Sequence, residues 1–270
     1  MLADGRQTYK HMETFAVTRA LIKVQIFEII RSKILVWASV CATATLALAY
    51  FVKALALTES ANVLTVTIAP LMRLTGVMLV ALFCVQSICR DIQDRTHLNL
   101  LVQPISRGAW LFFKLVGCAL NALCIAIPIG VVLLVIDGGN KLTWWFSLNL
   151  EFLLIAAVAG LLSITFGQVA ISTFCTLLLY VAGRLTTIFT ELALRGDETS
   201  WWEHFASGMV KVVDQILPKI SIYAKTDWLI ANPSDPILGV ASLLDDFLQT
   251  TIYLAVIFLI GWIDLRKREW

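Results

Sequence analysis

The sequence predicts an all-α, polytopic membrane protein with six transmembrane helices, and three observations predict it. Of 270 residues, 59% are hydrophobic and only 15% are charged, against about a quarter charged in a soluble domain. One small globule cannot bury that much apolar surface, so a second apolar phase, the bilayer, is required. The apolar residues fall into runs of roughly 20, the length that crosses the hydrocarbon layer as a helix. Lysine and arginine collect at alternate ends of those runs, which orders the spans across a membrane.

Taken in order, residues 1–33 form a cytoplasmic N-terminal region. Its first 13 residues are polar, and no small-residue cleavage pattern follows the first apolar run, so an uncleaved first span is expected. Residues 15–30 are loosely amphipathic and are expected to lie along the cytoplasmic interface as a helix. The first span, 34–52, is uncharged; the second, 71–88, has Arg73 near its start. The third, 115–136, is uncharged; the fourth, 146–166, has Glu151 near its start. The fifth, 168–189, has Arg184 near its end, and the sixth is 247–263.

Basic residues precede the first span (Arg6, Lys10, Arg19, Lys23, Arg31, Lys33), join the second to the third (Arg90, Arg95, Arg107, Lys114) and follow the sixth (Arg266, Lys267, Arg268). The loop after the first span is nearly uncharged, and the loop after the third has Lys141 alone. Both termini are therefore expected in the cytoplasm. Trp144, Trp145, Trp201 and Trp202 suit an outer interfacial belt. The outer segment 191–246 is too long for an idle loop, and short helices broken at Pro218, Pro233 and Pro236 are expected there. The whole chain reads as one transmembrane domain.

Several chemistries are excluded by pattern. The chain has no G-x-x-x-x-G-K-[ST] phosphate loop, and no G-x-S-x-G, H-E-x-x-H or G-x-G-x-x-G in a usable context. It is not expected to be an enzyme. A formal charge of +2 with scattered basic residues gives no nucleic-acid stripe. The six cysteines form no C-x-x-C pair, and His11, His97 and His204 are far apart, so no metal or cofactor is expected in this chain. The middles of the spans offer only residues such as Gln86 and Asn121, which argues against a proton- or sodium-coupled carrier.

Glu151 and Arg184 stand 16 and 17 positions from Gly167, where the fourth and fifth spans turn. At about 1.5 Å per residue both lie roughly 24–26 Å from that turn. Antiparallel neighbours then hold them at similar depth, where an ion pair lessens the cost of burying either charge. The alternative is that each reaches separately for the outer interface.

The one polar break among the cytoplasmic connections is "DIQDRTHLNLLVQPISRG", residues 91–108. Leu98 and Leu101 share a helical face, with Asp94, Arg95 and Asn99 elsewhere, and Pro104 stops the helix. A short helix folded against the membrane offers a surface to a partner; a solvated loop is the alternative.

This segment resembles the cytoplasmic segment of ABC type-2 transporter permeases, which carries an acidic residue, a threonine, a leucine-rich stretch, Pro-x-Ser-Arg and a lysine. The matching residues are Asp91, Arg95, Thr96, Leu100, Leu101, Pro104, Ser106, Arg107 and Lys114. The resemblance is nearest to the permeases grouped with multi-copper enzyme maturation. "FEIIRSKILVW", "GQVAISTFCTLLLYVAGRL" and "ILPKISIYAKTDWLI" resemble that subgroup in the same order along the chain. His97 and Arg184 depart from the pattern.

The resemblance implies a permease subunit without its own ATPase. Two copies, or this chain and a related permease, would pair in the lipid of a bacterial inner (plasma) membrane. A separate ABC ATPase subunit, which binds ATP and Mg, would dock from the cytoplasm and usually drives export. Residues 91–110 would form the coupling helix region. Asp91, Asp94, Arg95, Thr96 and Arg107 would face the partner. Leu98 and Leu101 would hold the helix to the permease, Pro104 would end it, and Ser106 would cap the next helix. Trp201 and Trp202 would mark the outer gate. A non-transporting membrane subunit, passing ATPase movement to an outer partner, is the alternative.

Overall fold

Apolar runs of this length dictate helices, because in hydrocarbon each backbone N–H and C=O must be satisfied within its own segment. The structure, a computed structural model, describes residues 27–55, 60–93, 107–134, 141–195, 208, 218, 220–224, 227–230 and 236–267. Among them every element is helical. Six long helices follow one another: α1 Ile34–Leu55, α2 Ser60–Gln93, α3 Arg107–Leu133, α4 Lys141–Phe166, α5 Val169–Arg195 and α6 Pro236–Lys267. A 3-10 turn, Ile220–Tyr223, and one helical turn, Asp227–Ile230, lie between α5 and α6. Five stretches are long and apolar enough to cross a membrane: Ile34–Leu55, Thr67–Gln93, Gly108–Leu133, Lys141–Phe166 and Ala241–Lys267. α5 contributes a shorter apolar stretch, Val169–Leu185. Among the described residues the protein is all-α, with five or six apolar helices of the kind that make a multi-pass membrane protein.

Most of the helices run further than the apolar runs. The second and sixth spans, expected at 71–88 and 247–263, belong to helices of 34 and 32 residues. α3 begins at Arg107, not 115, and ends at Leu133. The expected outer segment 191–246 loses its two ends to α5 and α6. Hydropathy marks only the part of a helix that faces lipid or core, while backbone hydrogen bonding continues through polar turns such as Asp245–Asp246.

α4 sits at the centre. It is apolar on every side and buried on most, as expected of a helix enclosed by others, and it packs against α2, α3, α5 and α6. α1 lies at the edge. It buries one stripe, Ile34, Ala38, Ala42, Thr45 and Ala49, spaced three or four residues apart. Alanines there let its backbone approach α2 closely. Its other side leaves Trp37, Val40 and Phe51 exposed, the composition of a lipid-facing surface.

Two local devices set the path. Gly167 adopts a φ of 65° and donates its N–H to the Ser163 carbonyl at 2.9 Å. This left-handed cap ends α4 and turns the chain into α5, at the reversal expected around 166–168. In α3, Pro128 interrupts the helix ladder. Beside it, the Trp145 indole donates to the Ala126 carbonyl at 3.0 Å. Gly130 makes room, since a Cβ there would lie 2.7 Å from that indole nitrogen.

Before α1, residues 27–31 form a helical turn that ends at Lys33, whose φ is 54°. The break turns Glu28 back toward α2 and α3 instead of outward along α1. Only 27–30 of the expected interface helix 15–30 lie within the described residues.

Candidate functional site: charged clusters at the two ends of the bundle

Alternating helix direction brings the start of α2, the start of α4 and the later part of α5 to one end. Glu151, on the central helix and 0% exposed, collects the charges there. It is ion-paired with Arg73 of α2, itself buried. Its Oε1 accepts from the Tyr180 hydroxyl at 3.2 Å and lies 3.6 Å from Arg184 Nη1. The Arg73 guanidinium stacks 4.5 Å from the ring centre of buried Trp144, a cation–π contact strengthened by exclusion of water. Arg73 Nε and Nη2 have no hydrogen-bond partner among the described residues. Arg184 also donates to the Ile220 carbonyl at 3.3 Å.

The cluster therefore ties α2, α4, α5 and the 3-10 turn together. That turn is fastened further. Ser147 donates to the Tyr223 carbonyl at 2.6 Å, and the Tyr223 hydroxyl meets Thr250 of α6 at 2.8 Å. Burial raises the Tyr223 phenol to about 12, against the opposing effect of its hydrogen bond with Thr250, so it stays protonated at neutral pH.

At the other end, Lys114 of α3 is 3% exposed and pairs with Asp91 of α2 at 2.7 Å. It also reaches Glu28 at 3.4 Å. Ser87 donates to the other Glu28 oxygen at 2.8 Å. One buried cation thus joins the end of α2, the start of α3 and the turn before α1.

Of the residues singled out in the sequence, the structure brings Glu151 and Arg184 together, and places Asp91 against Lys114. Arg107 opens α3. Asp94, Arg95, Thr96, Leu98, Leu101, Pro104, Ser106, Trp201 and Trp202 lie outside the described residues. Sequence reasoning missed Arg73 as the main partner of Glu151. The signal was present: Arg73 and Glu151 each stand near the start of a span that runs in the same direction. It also missed Glu28 and Tyr180.

The six cysteines are free. Among the described residues no three His, Cys, Asp or Glu side chains gather as a metal site would need. Chemically, both clusters are clasps between helices, built from charge-assisted hydrogen bonds. No protein-family model matches the chain, and comparison with curated proteins gives no match.

Proposed function

We propose that the chain is the membrane-spanning permease subunit of an ABC transporter, moved by a separate ATPase that docks on residues 91–107. The observation that carries this reading is the Lys114–Asp91 ion pair at 2.7 Å. Both residues belong to the motif that resembles the type-2 permeases: Asp91 opens the docking segment on α2, and Lys114 lies beyond its end on α3. A segment that receives force must have rigid roots; otherwise the push is absorbed locally instead of moving the spans. A buried lysine bridging Asp91 and Glu28 supplies that rigidity.

In this reading the segment faces the cytoplasm of a bacterial cell, and both chain termini lie on that side. ATP and Mg bind the partner. Two permeases pair around the path, and closure of two ATPases moves the spans as near-rigid bodies, in the direction of export.

The test is a pull-down of the full chain, solubilised from its own cells in mild detergent, beside a variant with Asp94→Ala and Arg95→Ala. A phosphate-loop ATPase that accompanies the native chain and is lost from the variant is the expected result. A native chain that brings down no such ATPase, under conditions that keep other ABC complexes whole, overturns the reading.

A further inference from the structure

A cavity of about 440 Å³ opens at the basic end, between the turn before α1 and the helices α1, α2 and α3. Its size falls in the range of small-molecule sites, roughly 300–1,000 Å³. Arg31 and Arg90 line it, both exposed, and neither makes an ion pair among the described residues. Glu28 also lines it, yet its carboxylate is already engaged by Lys114 and Ser87. Among the lining residues two arginines thus face one carboxylate, which is already engaged.

Deeper in, Asn121 of α3 lines the space. It is 5% exposed, and its Oδ1 has no hydrogen-bond partner among the described residues. A buried acceptor of this kind calls for a donor. The rest of the lining is polar at Ser32, Gln86 and Ser87, with one apolar side made of Ile34, Trp37 and Phe83. Trp37 is 56% exposed and continues into the exposed apolar side of α1.

We propose that this cavity holds the headgroup of an anionic phospholipid that carries hydroxyl donors, such as a phosphatidylglycerol. The phosphate sits between Arg31 and Arg90, where guanidinium forks match its oxygens. A headgroup hydroxyl donates to Asn121. The apolar wall leads the acyl chains along Trp37 to the lipid-facing side of α1. Free phosphate would use the rim and leave the wall and Asn121 without a role; a lipid uses all three. Basic pockets between spans are a recognised setting for anionic headgroups. The inference stands apart from the ATPase reading, since it uses no residue of the docking segment.

The test uses the full chain in phosphatidylcholine nanodiscs doped with phosphatidylglycerol, and native mass spectrometry to read the lipid retained. Preferential retention of phosphatidylglycerol is expected. Arg31→Gln with Arg90→Gln is expected to weaken it about twenty-fivefold, roughly fivefold for each arginine. Both side chains are exposed, so the core is spared; Arg90→Gln alone carries the same test at about fivefold. Asn121→Leu is expected to erase the preference for phosphatidylglycerol over phosphatidate, which lacks headgroup hydroxyl donors of that reach. Equal retention of phosphatidylcholine, or retention unchanged by loss of the arginines, overturns the site. Full displacement by millimolar inorganic phosphate overturns the lipid as its occupant. A preference for phosphatidylglycerol that survives Asn121→Leu overturns the assignment of the floor.

Discussion

Removing the charge of Glu151 should destabilise the bundle more than removing either arginine beside it. Glu151→Gln leaves the Arg73 guanidinium, 1% exposed, with the Trp144 ring and a neutral amide as its neighbours. Breaking a buried ion pair from one side costs about 3–5 kcal/mol, because an uncompensated charge stays behind. Arg73→Met is not the mirror image. Glu151 then keeps Tyr180 at 3.2 Å and Arg184 at 3.6 Å. The substitution also removes two guanidinium nitrogens that have no hydrogen-bond partner among the described residues. A cost of about 1–2 kcal/mol is expected. Arg184→Met should cost less than about 1 kcal/mol, since that side chain is 27% exposed and its attraction is screened.

The double variant, Glu151→Leu with Arg73→Met, replaces the pair by apolar groups of similar volume. It should recover most of the loss seen with Glu151 alone. The assay is a double-mutant cycle of Glu151→Leu and Arg73→Met, with Glu151→Gln measured beside it, on equilibrium unfolding in mixed micelles with helicity as the readout. Two results refute the reasoning. One is Arg73→Met costing as much as Glu151→Gln. The other is a double variant no more stable than the Glu151 single.

Lys114→Met should cost about 2–3 kcal/mol in the same assay, because it strands Asp91 and Glu28 around one vacated site; Asp91→Asn should cost less, as Asp91 is 26% exposed and Lys114 keeps Glu28. Gly76→Ala would drive a methyl group into the Phe152 ring, which is fully buried. A loss of about 1–3 kcal/mol is expected, and Phe152→Leu added to it should restore part of the stability. Tyr223 predicts an alkaline limb. Its phenol is raised to about 12 in the folded chain, against about 10 when unfolded. Its contribution is complete below pH of about 10 and is lost as pH rises through about 12, because the unfolded chain releases the proton first. Tyr223→Phe should flatten that limb by at most about 1.4 kcal/mol per pH unit, read by unfolding at a series of alkaline pH values.

How much of this was legible in the sequence depends on which physical signal each feature leaves. The build of long apolar helices and the reversal at Gly167 were readable, because apolar length and a glycine between two apolar runs are local properties. Helix ends were not, because polar turns such as Asp245–Asp246 extend a helix without extending its hydropathy. The second and closer partner of Glu151 was missed for a different reason. Glu151 was matched to Arg184 through the short turn joining α4 and α5, while Arg73 comes from α2, which contacts α4 without being its neighbour in the chain. A helix apolar on all sides gives no periodic signal of which face meets which helix. α4 is such a helix, so only an inventory of charges at equal depth would have pointed to Arg73. Lys114 and Asp91 were both noted as motif residues, but the motif does not say that they touch.

The two clusters have a helix in common, and its geometry relates them. Asp91 and Arg73 are 18 positions apart on α2. That is about 27 Å and about five turns, so both side chains leave the same face of one rod. Between them Val77, Val80, Ala81, Cys84 and Ile88 are all buried. A rotation of α2 about its axis therefore breaks the pair with Lys114 and the pair with Glu151 together, and so does a slide of one turn. Charge pairs at both ends, one fully buried and one partly, oppose intermediate positions of the helix, because those leave charges without partners. Movement at the root of α2 then reaches the far cluster as a whole-helix displacement or not at all. The carboxylate that receives it, Glu151, sits on the helix that contacts α2, α3, α5 and α6.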